Sequence, residues 1–259
     1  MESFETYDFK TPMMLQYLEI KKQHSDCLLF FRMGDFYELF LDDAHVGAKI
    51  LDITLTARSK GKDGRVPMAG VPYHAVDSYL NKLVKAGYKV AICEQVSEPD
   101  GKGLVEREVV RIVTPGTMLD ERGLSSKDNN YLLSFEWDGN RVGVALCDVS
   151  TGDFQCGEFS KLSSHSGPDQ DDHAQVSFLK QTLGDLISSF RPSECILPPR
   201  LYNQLSVLKV LGEFQEMNIY DYHKWDVYGD DGVKVLKKQF QVKSLESFGI
   251  DDKPFAIKA

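Results

Sequence analysis

Leu28-Leu29-Phe30-Phe31-Arg32-Met33-Gly34-Asp35-Phe36-Tyr37-Glu38-Leu39-Phe40 sets an apolar, aromatic run on each side of a Gly-Asp pair. Turn residues between two β-prone runs predict a hairpin. Just past the turn, Phe36-Tyr37-Glu38 puts two large rings beside a carboxylate where the chain returns from the surface. Two readings compete. Either the rings belong to the core, or one ring is a wedge presented for stacking, with a polar group beside it to read what it stacks on.

Working outward, Thr11-Pro12 predicts a helix start, with Thr as N-cap and Pro at the first helical position. Met14, Tyr17 and Leu18 follow at helical spacing, and the helix should end near His24-Ser25. After the hairpin, Asp42-Asp43 can open a second helix carrying Val46, Ala48, Ile50 and Leu51, and Asp52 to Thr56 alternates like a strand. Arg58-Ser59-Lys60-Gly61-Lys62-Asp63-Gly64-Arg65 holds four basic residues against one acid. It is a solvated loop, or one whose cations follow a phosphate backbone. No GxxxxGK[ST] pattern occurs in the chain, so it is not a Walker A loop. Val66 to His74 reads as a connector stiffened by Pro67 and Pro72, with Gly70 permitting close approach to a ligand. A helix over about 75–86 shows Val76, Tyr79, Leu80, Leu83 and Val84 on one face, and strands follow over 88–93 and 109–113.

The polar stretch from Asp120 to Asn130 is the best linker candidate. Beyond it, Tyr131–Trp137, Arg141–Val149 and Phe154–Phe159, separated by Asp138-Gly139-Asn140 and Ser150-Thr151-Gly152, predict a three-stranded meander. A helix over about 173–190, a short strand at 194–197, a helix over about 201–211 and a helix-prone remainder follow. That order is the order of a ribonuclease-H-like fold, so the chain as a whole reads as mixed α/β. It also raises a rival function, a metal-dependent nuclease built on Asp148 and Asp153. Both residues flank a turn where Asp is common for turn geometry alone, and no later acidic cluster is placed to complete a site.

The chain has 259 residues, of which 42% are hydrophobic and 27% charged, enough for one large or two ordinary domains with real cores. No apolar run reaches the ~20 residues of a membrane span. The acidic start Met1-Glu2-Ser3-Phe4-Glu5 is not a signal peptide. Cys27, Cys93, Cys147, Cys156 and Cys195 are odd in number and far apart, a pattern of reduced thiols in a cytoplasmic protein without a structural metal. The net charge of −9 argues against binding nucleic acid by bulk electrostatics. It is unevenly spread. Residues 1–127 hold 17 Lys and Arg against 19 Asp and Glu, net −2, whereas 128–259 hold 13 against 20, net −7. Any nucleic-acid role therefore belongs to the first half, and the second suits a protein partner or a scaffold.

Five blocks in order carry a resemblance: Thr11-Pro12-Met13-Met14, Phe31 to Phe40, Met68 to Ala75, Val90-Ala91-Ile92-Cys93-Glu94-Gln95, and Val110 to Thr117. They resemble the N-terminal region of the bacterial MutS family of DNA mismatch-recognition proteins, and Asp148-Val149-Ser150-Thr151-Gly152 resembles its connector domain more loosely. The resemblance implies a mismatch-recognition domain over 1–120, a linker over 121–130, a non-catalytic ribonuclease-H-like connector over 131–250, and the start of a following segment over 251–259. It implies that Phe36 is inserted beside a mispaired or unpaired base in duplex DNA and that Glu38 hydrogen-bonds that base. Met33 and Tyr37 would pack around the wedge, and Arg58, Lys60, Met68 and Gly70 would meet the DNA backbone. It further implies MutL as the connector's partner. ATP, magnesium, homodimerisation and the ATPase itself belong to the full-length family, so this stretch would be a non-enzymatic N-terminal fragment with no cofactor of its own.

Overall fold

The computed structural model describes residues 11–58, 65–97, 104–118, 129–161, 172–214, 217–222 and 232–259. The chain divides into two compact units, Met1–Ser126 and Lys127–Ala259.

In the first unit, α1 (Pro12–Gln23) leads into the predicted hairpin, β1 (Cys27–Met33) and β2 (Phe36–Phe40), followed by α2 (Leu41–Leu51). Then come β3 (Thr56–Arg58), β4 (Val66–Pro72), α3 (Val76–Lys85), β5 (Lys89–Gln95) and β6 (Arg107–Val113). The six strands form one sheet in the order β3-β4-β2-β1-β5-β6, antiparallel except where β1 runs parallel to β5. Strand periodicity sends alternate residues to opposite faces. Leu28, Phe30, Tyr37, Leu39, Ala69 and Val71 pack under α2 and α3, while Leu29, Phe31, Phe40, Val66 and Ala91 pack under α1.

Two readings of this half need correction. Val66–Pro72 is an interior strand rather than a connector, paired with both β2 and β3, and the short turn that follows it, Tyr73–Ala75, is 3-10. The strand expected over 52–56 begins only at Thr56. The reason is the exit from α2, where Asp52 adopts a left-handed conformation at φ 55° and the N–H groups of Asp52 and Ile53 both donate back to Ala48 O.

One buried ion pair replaces missing sheet pairing. Pairing of β1 with β2 runs from Phe31↔Glu38 to Met33↔Phe36, so the start of β1 has no β2 partner. There the Asp43 carboxylate accepts from Leu29 N at 2.9 Å, and Lys21 Nζ donates to Cys27 O and, at 3.0 Å, to Asp43 Oδ1. Both side chains are buried.

The second unit contains β7 (Leu132–Trp137), β8 (Arg141–Asp148), β9 (Asp153–Ser160), α4 (Asp172–Phe190), β10 (Glu194–Leu197), α5 (Pro199–Tyr202), α6 (Leu205–Leu211), β11 (Asn218–Asp221), α7 (Gly232–Gln239) and α8 (Pro254–Lys258). The meander forms as expected, and the sheet order is β11-β10-β7-β8-β9, with β10 and β11 parallel to β7 and to each other. One face holds the core with α4 and α6, from Leu133, Phe135, Val142 and Val144 to Leu179, Leu183, Val207 and Leu211.

Here too the chain departs from expectation. The helix expected over 201–211 is split at Asn203-Gln204 into α5 and α6. The remainder expected to be helical contains β11, whose strand character comes from non-local pairing with β10 and not from any four-residue pattern. Residues 254–258 form helix α8. Helix α8 lies on β8 and β9: Phe255 N donates to Glu158 Oε2 of β9 at 2.8 Å, and the Arg141 guanidinium of β8 sits 4.1 Å from the centre of the Phe255 ring. Gly143 permits this approach, since a Cβ there would meet the Phe255 carbonyl carbon at 2.0 Å.

Candidate nucleic-acid interface

The hairpin turn has two central residues, Gly34 and Asp35, closed by the pair Met33↔Phe36. Gly34 sits at φ +61° and Asp35 does not share a positive φ, the Gly-first pattern of a tight hairpin. The tip is fastened from two sides. Tyr73 N donates to Asp35 O at 2.9 Å, and Arg32 Nε donates to Gly34 O. The Arg32 guanidinium also lies 3.9 Å from the Tyr73 ring centre and 3.6 Å from Glu94 Oε2. Neither Arg32 nor Tyr73 is marked in the sequence as a brace. They are distant in the chain, and only the pairing of β2 with β4 brings them together.

Phe36 and Glu38 are two apart on β2 and therefore share a face, the one α1 covers further along the strand. Tyr17 of α1 packs edge-on against Phe31 and Phe40, at 5.5 and 5.1 Å between ring centres. The helix does not extend over the tip, and Phe36 stays 44% exposed. Around it on the same face, from the strand register, lie Met33, Met68, Gly70 and Arg58. Arg58 Nη1 is 3.4 Å from Met13 Sδ and 3.9 Å from Met33 Sδ.

Glu38 is half-buried beside its cross-strand partner Gly70. Its Oε2 is shielded from solvent and has no hydrogen-bond partner among the described residues. Burial pushes the carboxyl above its ordinary value of 4.5, and the Arg58 charge opposes that rise. A raised folded-state value means that this group's contribution to stability is fully present below the unfolded pKa and is lost as pH rises through the folded one. Glu38→Gln removes the dependence. Its stability relative to the parent should therefore increase from pH 4 towards pH 7 in denaturant titrations, and a pH-independent difference would contradict this.

Tyr37 does not pack around Phe36. It faces the opposite side, is 4% exposed, stacks near Phe30 at 5.9 Å and donates its hydroxyl to Glu94 Oε1. Burial first, and then the Glu94 carboxylate, push that hydroxyl up to about 12. Tyr37 is scaffold, and the same alternation that puts Phe36 beside Glu38 removes it from their face. Lys60 lies outside the described residues, as do residues 121–128 of the expected linker.

The rival acid pair is wired into a turn. Asp148 is fully buried, and burial alone would raise its carboxyl. Donors from Ser150 N and Oγ at 2.9 and 2.6 Å, Asn130 N at 3.2 Å and Thr151 N at 3.4 Å hold it below the ordinary value instead. Asp153 accepts from Tyr131 Oη and Gln155 Nε2. Both Asp153 bonds fall on Oδ2, and no group of three or more His, Cys, Asp or Glu placed to hold a metal occurs among the described residues. The cysteines are free, and burial pushes the Cys27 and Cys93 thiols up to about 12, away from nucleophilic use. Among the described residues no helix is long and apolar enough to cross a membrane.

Two mixed α/β units, the first presenting a ring and a carboxyl side by side on an otherwise packed sheet, define a two-domain protein with an open aromatic–carboxylate face. MutS domain I matches residues 11–122 and MutS domain II matches residues 130–259. The chain belongs to the MutS family of DNA mismatch repair proteins. It is similar to the DNA mismatch repair protein MutS of Alkaliphilus oremlandii, 41% identical over 252 residues that cover 96% of this chain and 27% of that protein. The MutS of Lachnoclostridium phytofermentans is 38% identical over 250 residues, covering 96% of this chain and 25% of the relative. The MutS of Staphylococcus saprophyticus is 55% identical over 151 residues, covering 58% and 17%. The chain thus spans about a quarter of the length of the curated relatives that match nearly all of it.

Proposed function

We propose that the first unit recognises mispaired or unpaired bases in duplex DNA, with Phe36 as a stacking wedge and Glu38 as the base reader, and that the second unit signals to MutL. One observation carries this reading. A large ring stands in solvent at a braced hairpin tip, beside a carboxyl whose inner oxygen lacks a partner. Opening a base step costs a few kcal/mol, and less where pairing is already defective. Base–aromatic stacking returns about 1–3 kcal/mol and tolerates any base, so the discrimination lies in the cost of opening. Glu38 accepts a base N–H when ionised and donates when protonated, and its burial brings the second option closer to neutral pH. Arg58, Met68 and Gly70 on the same face are candidate backbone contacts, as is Lys60, two residues beyond Arg58 in the sequence. The second unit, net −7 over 128–259, is unsuited to a phosphate backbone and suits a protein partner.

The test is a comparison of heteroduplex and homoduplex binding by the chain extended to the length of its relatives. A clear heteroduplex preference is expected, and equal affinities would end the proposal. The 259-residue chain alone, nearly neutral in its first half, should bind duplex DNA weakly and lose that binding with added salt, showing little mismatch preference. Salt-resistant nanomolar binding by this chain would contradict the account.

A further inference from the structure

Glycine inside a strand weakens it and calls for a local reason. Gly70 is interior to β4, flanked by Ala69 and Val71, which are fully buried. Its backbone does not require glycine, because it is absent from the positive-φ positions. A Cβ at Gly70 would have as its three nearest atoms Glu38 Oε2 at 2.5 Å and Glu38 Cδ and Oε1, each at 2.8 Å. All three belong to one carboxyl group. The closest neighbours of the missing side chain are thus the end of one flexible residue.

We infer that Gly70 is a positioning residue for Glu38: its bare Cα is the seat on which the carboxyl lies, on the face that Phe36 shares, with the inner oxygen Oε2 out of water. This rests on the reading of Glu38 as the base-contacting group. It changes the expected role of Gly70 from a backbone contact with DNA to a cradle for the residue that reads the base. Any side chain at 70 lifts the carboxyl off the strand. The tip of a glutamate moves easily, so the sheet tolerates the change while the reader loses its place. Displacement also exposes Oε2 to water, which removes the burial that raises this carboxyl.

The test uses Gly70→Ala, Glu38→Ala and the double variant. In the 259-residue chain, a double-mutant cycle on the urea midpoint isolates the contact. Gly70→Ala is expected to lower the midpoint with Glu38 present and to leave it unchanged or raise it once Glu38 is Ala. An equal loss in both backgrounds would show that the Cβ meets the backbone, and would overturn the inference. NMR titration of the Glu38 carboxyl carbon should show its midpoint falling towards 4.5 in Gly70→Ala; an unmoved midpoint overturns the inference even if the variant is stable. In the chain extended to the relatives' length, Gly70→Ala should reduce heteroduplex preference several-fold, in the same direction as Glu38→Ala. If Glu38→Ala abolishes that preference and Gly70→Ala leaves it whole, Gly70 is not a positioning residue. If Glu38→Ala has no effect on DNA while the cycle and the titration come out as expected, the cradle stands and the base-reading role of Glu38 falls.

Discussion

Phe36→Ala is expected to erase the preference for heteroduplex over homoduplex DNA in the chain extended to the relatives' length, with the first unit still folded. The ring is 44% exposed and belongs to none of the buried clusters, so its removal should change stability by no more than about 0.5 kcal/mol, as for other surface sites. Its loss from a base stack should cost about 1–3 kcal/mol, roughly 5- to 150-fold in heteroduplex affinity. Homoduplex affinity, which does not involve an opened step, should move far less. The pair of measurements decides the matter: a denaturation midpoint together with hetero- and homoduplex titrations. An unfolded or strongly destabilised variant would return the ring to the core. An unchanged affinity ratio would leave it on the surface without the role given to it. Phe36→Tyr, which keeps the aromatic face, should retain most of the preference.

Asp43→Ala should destabilise the first unit by about 3–5 kcal/mol, the cost of leaving one member of a buried ion pair alone. The pair does more than neutralise itself. Asp43 accepts from Leu29 N and Lys21 donates to Cys27 O, so the two side chains satisfy backbone groups of β1 before its pairing with β2 begins. Ala at 43 removes the acceptor of the Leu29 N–H and the anion beside the Lys21 ammonium, which keeps its bond to Cys27 O. Burial raises the Asp43 carboxyl while the Lys21 charge opposes that rise, and two charges taken out of water recover little net stability from each other. Replacing both, as Lys21→Met with Asp43→Leu, should therefore cost much less than Asp43→Ala, with the unbonded backbone groups as the remaining loss. Urea denaturation of the three variants, followed by a probe in the first unit, gives the comparison. A loss below about 1 kcal/mol for Asp43→Ala would mean that water reaches Lys21 and Leu29 in the native state.

Both predictions concern the stretch 28–43, and that stretch shows how far the sequence is readable. The hairpin, its Gly-Asp turn and the helices α1, α3 and α4 follow from local signals: turn chemistry, 3.6-residue spacing and helix-terminal residues. The meander of β7, β8 and β9 was legible for the same reason, since each strand pairs with the next across a short turn. Strand β11 was not, because four residues carry no period and only β10 makes them a strand. The sequence leaves Asp148 open between a turn and an acid pair, and its place in the turn comes from the donors Ser150, Thr151 and Asn130 on its carboxylate.

At the hairpin itself, the alternation of residues already separates Phe36 and Glu38 from Tyr37. It does not say which of the two faces is covered. That is decided by α1, α2 and α3: the last two bury the Tyr37 face, while α1 covers Phe31 and Phe40 and leaves the tip bare. The seating of Glu38 on Gly70 is likewise tertiary, set by the pairing of β2 with β4. A period of two sorts side chains onto faces, but exposure depends on what packs against each face, and those partners come from distant parts of the chain.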